Sequence, residues 1–221
     1  YDLSSLRALY LAGEPLDETT AQWIAESLGR PIIDNYWQTE TGWPILSLCN
    51  GVEAAPSKFG SPGKAVYGYN VKLIDEATGQ HMQGADAKGV VMIEGPLPPG
   101  CMQTVWRDDE RFIKTYWTEV DGRWLYSTFD WGIRDADGYY FILGRTDDVI
   151  NVAGHRLGTR EIEESISSHP NVTEVAVVGV ADNLKGQVAM AFVIAKDASG
   201  LSDDAARLKL EGDIMKVVDG Q

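Results

Sequence analysis

The sequence is poor in cysteine, in basic residues and in long apolar runs. Cys49 and Cys101 are the two cysteines among 221 residues, far apart and outside any CxxC spacing. A disulfide framework is therefore excluded, and the pair reads as free thiols in a reducing, cytoplasmic setting. Lysine and arginine number 19 against 33 acidic residues, a net charge of −14. So acidic a chain repels phosphate backbones and anionic lipid. That argues against nucleic acid or a membrane as its main partner, although local basic positions can still hold a nucleotide. No apolar run approaches the roughly 20 residues that span a bilayer, and no signal-peptide pattern stands at Tyr1.

What is present is a folded, mixed chain. Hydrophobic residues make up 44%, enough for real cores, and the length is comfortable for two domains. Tyr1 opens almost directly onto a strand-like run and Gln221 follows a helical pattern. Neither has the look of a natural terminus, so a longer enzyme with parts upstream and downstream is expected.

Leu6 to Ala12 reads as a buried strand broken by Gly13-Glu14-Pro15. Asp17 is a good N-cap for a helix to about Leu28, with Gly29 at its stop. Pro31 to Tyr36 is a second strand, and the order predicts a right-handed parallel βαβ unit. Ligands collect at the carboxyl ends of such strands, where the GEP and YWQTETG loops lie. Between Gly60 and Gly144 short strands take over: Asn70 to Asp75, Gly89 to Glu94, Trp124 to Ser127 and Tyr139 to Leu143, with a hairpin turn at Asp135 to Gly138. Beyond Asp148, Thr159 is expected to cap a helix to Ser168, with Glu161 and Glu163 near its positive end. Strands at Val175 to Val180 and Gln187 to Ile194 and a helix from Ser202 to Val218 follow. The fold class is thus α/β with α+β. Residues 1–58 are the end of a βαβ subdomain, 59–146 a small antiparallel, barrel-like subdomain, and 147–221 an incomplete α+β domain.

Several residues have the chemistry of a nucleotide site. In Asp34-Asn35-Tyr36-Trp37-Gln38-Thr39-Glu40, Tyr36 can stack a base, Thr39 can donate to a phosphate, and Glu40 offers a hard oxygen to Mg2+. Trp37 can wall off a small pocket. Asp130 follows a strand, and one carboxylate can accept from both hydroxyls of a ribose. The fork of Arg145 suits a ribose hydroxyl or a phosphate. Taken singly, each of these is as readily a turn residue or a surface ion pair.

Together, and in this order, they resemble the AMP-forming acyl-CoA synthetases, the short-chain branch of the adenylate-forming enzymes. The resemblance runs from about Tyr1 to Ile194, and NVAGHRLGT (Asn151 to Thr159) is its most specific piece. It implies that Gly13, Glu14 and Pro15 line the adenine and ribose, and that the Asp34 to Thr39 loop, Asp130, Arg145 and Arg156 bind ATP and AMP. Thr39, Glu40 and Arg156 would act in catalysis, with Glu40 on the Mg2+ of ATP. Asp147 would be the hinge of a mobile domain, and Ala153 and Gly154 would face coenzyme A. A weaker implication is a cation near Ser167, His169 and Val172. The expected substrates are ATP, coenzyme A and a short carboxylate. Ala12, beside Trp37 in the acyl pocket, points to propionate, with acetate as the alternative and a non-catalytic nucleotide- or CoA-binding module as the reading of another class.

Two departures stand out. The family has glycine before the ribose aspartate where this chain has Phe129, and serine is common where it has Ala153. The family's upstream phosphate loop and its C-terminal lysine loop have no counterpart here, so the 221 residues are expected to be inactive by themselves.

Overall fold

A computed structural model describes residues 2–14, 16–146, 148–153, 155–199, 201 and 203–219. The chain forms two compact units, 1–142 and 143–221.

The first unit opens with the expected βαβ turn. Strands β1 (Leu9–Leu11) and β2 (Ile32–Asp34) pair in parallel around helix α1 (Glu18–Leu28). Asp17 accepts from the Thr20 amide at 2.8 Å, and Gly29 closes the helix on the Ala25 carbonyl at 2.9 Å. β1 is shorter than the apolar run suggested, because only the residues opposite Ile32–Asp34 have a partner strand to complete their hydrogen bonds.

A largely antiparallel β region follows. Its elements are β3 (Leu46–Ser47), β4 (Lys64–Ala65), β5 (Asn70–Ile74), β6 (His81–Met82), β7 (Ala87–Glu94), α2 (Asp109–Tyr116), β8 (Trp117–Val120), β9 (Arg123–Arg134) and β10 (Tyr140–Arg145). The main sheet runs β10-β9-β7-β5-β6, with β8 also on β9, while β3 pairs β4. All four expected strands are present, but β9 continues well past Ser127, through Asp130. The Asp135 carboxylate accepts the Asp137 and Tyr139 amides at 2.9 Å, and Lys58 clamps this turn from outside at 2.5 Å. Helix α2 and strand β8 were not legible in the sequence: α2 is short and buries Phe112 alone. Ile45 and Leu46 share one core with Val91, Ile93 and Tyr126. The core therefore runs across residue 58, where the sequence suggested a subdomain boundary.

The second unit holds β11 (Val149–Val152), β12 (His155–Gly158), α3 (Thr159–Ser167), β13 (Val172–Asp182), β14 (Gly186–Ala195) and α4 (Asp204–Asp219). Its sheet order is β12-β11-β14-β13, over a core of Ile150, Ile166, Val172, Val177 and Ile214. Thr159 is not the cap of α3. Gly158 holds that place in extended backbone and makes no side-chain cap bond, because β12 runs up to it and the chain turns helical only at Thr159. Glu163 does not serve the helix terminus either, since its carboxylate accepts the Val177 amide at 2.8 Å and ties α3 to β13. No helix among the described residues is long and apolar enough to cross a membrane.

One buried group in the first unit is costly. The Tyr126 hydroxyl is enclosed and has no hydrogen-bond partner among the described residues. Burial, and then the charge of Glu40, push its pKa above the ordinary 10. Removing an unsatisfied buried hydroxyl recovers its desolvation cost, so Tyr126→Phe is expected to stabilise the fold by about 1 kcal/mol. A group whose folded pKa is raised contributes stability below its unfolded pKa and loses it as pH rises beyond that value. The urea midpoint should therefore fall above pH 10, and less steeply in Tyr126→Phe. Equal slopes in the two proteins would refute the assignment.

Candidate active site

The two strands of the βαβ unit run in parallel, so the loops after β1 and β2 leave the same edge. Gly13 and Glu14 are exposed there; Pro15 lies outside the described residues. Asp34 ends β2 and accepts the Asn35 amide at 2.9 Å. The Asn35 side chain works within the protein. Its amide donates to the Leu11 and Ile33 carbonyls at 3.0 and 3.1 Å, and its oxygen accepts from Ser47 at 2.6 Å. It fixes where the loop departs, and both its donors are already engaged.

Two residues of the loop converge on Asp130. The Tyr36 hydroxyl donates to its carboxylate, and Gln38 donates to the same oxygen at 3.0 Å and to the Thr128 carbonyl at 2.6 Å. Burial, and then the negative charge of Asp130, push the Tyr36 phenol well above 10. Asp130 is aimed by an irregularity in β9. Between the pairs Val90–Trp131 and Met92–Ser127 the strand carries extra residues, a bulge that turns the following side chain. Thr128, fully buried, donates to the Val91 carbonyl at 2.7 Å. Phe129 takes φ +61°, the left-handed region that a non-glycine residue enters at a cost of about 1–2 kcal/mol. The departure noted in the sequence thus falls where glycine would be at ease. Phe129 keeps the bend and sets its ring edge-on to Tyr116 at 5.7 Å.

The rest of the loop is a tight turn. Buried Thr41 accepts the Gln38 amide at 3.1 Å and donates back to the Gln38 carbonyl at 3.0 Å. Gly42 sits at φ +62°, and a Cβ there would stand 2.9 Å from the Gly100 carbonyl oxygen. This turn leaves Thr39 exposed and hydrogen-bonded to nothing among the described residues, and it presents Glu40 half-buried. Ala12 and Trp37 line one cavity of about 570 Å³, together with Tyr10, Trp43 and Cys49.

The remaining expected residues belong to the second unit. Arg145 ends β10 and is exposed. Asp147 and Gly154 lie outside the described residues, as does the side chain of Arg156, whose backbone pairs with Asn151 in the β11–β12 hairpin. Ala153 stands at φ +50° in that turn, and its amide donates to the Lys185 carbonyl at 2.8 Å. The backbone N–H that alanine retains is therefore engaged within the fold. Ser167 ends α3, Val172 opens β13, and His169 lies on the turn between them. The Val172 amide donates to the His169 carbonyl at 3.0 Å and the Asn171 amide to its Nδ1 at 3.2 Å. Among the described residues no three His, Cys, Asp or Glu side chains gather as metal ligands.

Sequence reasoning missed Thr41, Tyr116, Thr128 and Tyr126. Only Thr41 left a signal, as a hydroxyl residue inside a turn.

Residues 1–106 match the family described as AMP-binding enzyme, and residues 161–221 match the AMP-binding enzyme C-terminal domain. The chain is 66% identical over all 221 residues to the propionate–CoA ligase of Salmonella typhimurium, and 64% to that of Escherichia coli. It covers 35% of the length of each of these relatives. Among solved structures it resembles the anthranilate CoA ligase AuaEII in complex with anthranoyl-AMP, at 31% identity and a TM-score of 0.76, over 100% of this chain and 39% of that one.

Proposed function

We propose, on the premise that this chain belongs to the AMP-binding enzyme family, that it is part of a propionate–CoA ligase that works through an acyl-adenylate. The observation that carries the nucleotide role is the convergence of Tyr36 and Gln38 on the buried carboxylate of Asp130. Two donors from the loop fix one oxygen of an acid that the bulge has already aimed. Such a pre-oriented carboxylate can accept both hydroxyls of a ribose without first being ordered.

In the first step the propionate oxygen attacks the α-phosphate of Mg·ATP, and pyrophosphate leaves. In the second, the thiolate of coenzyme A attacks the acyl carbon, and AMP leaves. Negative charge grows on phosphate oxygens in the first step, where the exposed Thr39 hydroxyl and the Mg2+ carried by ATP would stabilise it. Glu40 fits that ion: it is a hard carboxylate, of the kind Mg2+ takes singly beside phosphate oxygens. Arg145 and Arg156 supply cations for the nucleotide, Asp147 is the hinge, and Ala153 with Gly154 borders the path of coenzyme A.

The choice of acid rests on Ala12. It shares a cavity with Trp37, and its small side chain leaves room for a methylene that valine would fill. One methylene in an apolar pocket is worth about 1–3 kcal/mol. In the full-length enzyme, Ala12→Val is expected to shift the propionate-to-acetate ratio of kcat/KM toward acetate by about tenfold or more. An unchanged ratio would remove Ala12 from the pocket. Carboxylate-dependent ATP–pyrophosphate exchange with acetate, propionate and butyrate at equal concentration tests the whole reading. A maximum at propionate supports it, a maximum at acetate keeps the chemistry and replaces the acid, and no exchange with any of the three leaves a binding module.

A further inference from the structure

Glu40 stands at the end of the loop as a flexible side chain, and a metal-bearing carboxylate gains from being held in one orientation before its ligand arrives. One oxygen, Oε1, faces the hydroxyl of Tyr116 at 3.4 Å, and Oε2 has no partner among the described residues. Tyr116 comes from 76 residues further along the chain, at the end of α2. Its ring is itself firmly placed. It stacks on buried Tyr126 with centroids 5.5 Å apart and planes 5° apart. It meets the edge of Phe129 at 5.7 Å and Phe112 at 5.7 Å. A phenol confined on three sides loses little further freedom in donating to a carboxylate. The distance is longer than an optimal O–H···O bond, as functional hydrogen bonds often are before the ligand closes them.

We propose that Tyr116 is a positioning residue for Glu40: it holds one carboxylate oxygen and turns the other toward the metal ion of Mg·ATP. The inference rests on the reading of Glu40 given above. It also gives α2 a place in the site, and it explains why Phe129 is kept at a strained position, since glycine there would remove one wall of the Tyr116 enclosure.

Tyr116→Phe keeps the ring and its stacking and deletes only the hydroxyl. The measurement is calorimetric ATP binding to the full-length enzyme, with and without Mg2+ and without carboxylate, beside the thermal midpoint. The gain in ATP affinity on adding Mg2+ is expected to shrink about tenfold in Tyr116→Phe, while metal-free affinity and the midpoint stay at wild-type values. A merely structural tyrosine would move the midpoint and leave the Mg2+ gain alone. Glu40→Gln is measured in parallel, together with the double variant. If Tyr116→Phe and Glu40→Gln each lose the gain and the double variant is no worse than Glu40→Gln, the coupling stands. If Glu40→Gln loses it and Tyr116→Phe keeps it in full, the positioning role is overturned and Glu40 retains its own. If Glu40→Gln itself keeps the gain, the reading of Glu40 falls and this inference with it.

Discussion

Asp130→Ala in the full-length enzyme is expected to weaken AMP binding by about 100-fold. A hydrogen bond to a charged group contributes about 1.5–3 kcal/mol, and a ribose diol would make two to this carboxylate. The substitution also leaves the Tyr36 hydroxyl without the acceptor it donates to, and Gln38 with only the Thr128 carbonyl. Some loss of stability, about 1–3 kcal/mol, is therefore expected as well. The two effects separate by experiment. Calorimetric titration with AMP reads the first, and urea unfolding without nucleotide reads the second. Tyr36→Phe serves as the comparison: it removes the donor, leaves the carboxylate, and should weaken AMP binding far less. Asp130→Ala binding AMP as tightly as the parent, with the fold intact, would dismantle the proposed nucleotide site.

Gly89→Ala is expected to destabilise the first unit by about 3 kcal/mol, the upper range for forcing extra volume into a packed interior. Its backbone is ordinary, so strain in φ is not the cause. A Cβ at this position would stand 2.7 Å from the Ile74 carbonyl oxygen and 2.9 Å from the Ile74 nitrogen and carbonyl carbon. All three are main-chain atoms that pair β5 with β7, so no side chain can swing away to make room. Across the sheet Gly89 faces Gly132, where a Cβ would lie 2.9 Å from Val91 Cγ2. The sheet is tight on both strands there, Gly89 against β5 and Gly132 against Val91, and Gly132 lies two residues from Asp130. Gly51→Ala meets nothing within 4 Å and needs no positive φ, so it should stay within about 0.5 kcal/mol of the parent. Urea midpoints of the two variants read the difference directly, and a Gly89→Ala midpoint equal to that of Gly51→Ala would show that the sheet can open without cost.

Much of the framework was legible because it is local. Asp17 and Gly29 bracket α1 through contacts of three and four residues, and Asp135 closes its turn within four. Val71 and Leu73, alternate residues of the strand expected at Asn70 to Asp75, are both buried. Family motifs name the loops, and Phe129 departs from the family pattern at a position of φ +61°. Where local signals were read too far, pairing decided: β1 stopped where its partner stopped, and β12 displaced the cap of α3 to Gly158.

The sequence by itself determined which residues bear the chemistry and along which strands and helices they lie, because caps, turns and side-chain alternation act over a few residues. The tertiary structure alone decided what those residues face. Tyr36 reaches Asp130 across 94 positions and Tyr116 reaches Glu40 across 76. Contacts of that range leave no periodic trace, since they depend on a bulge in β9 and on where α2 packs.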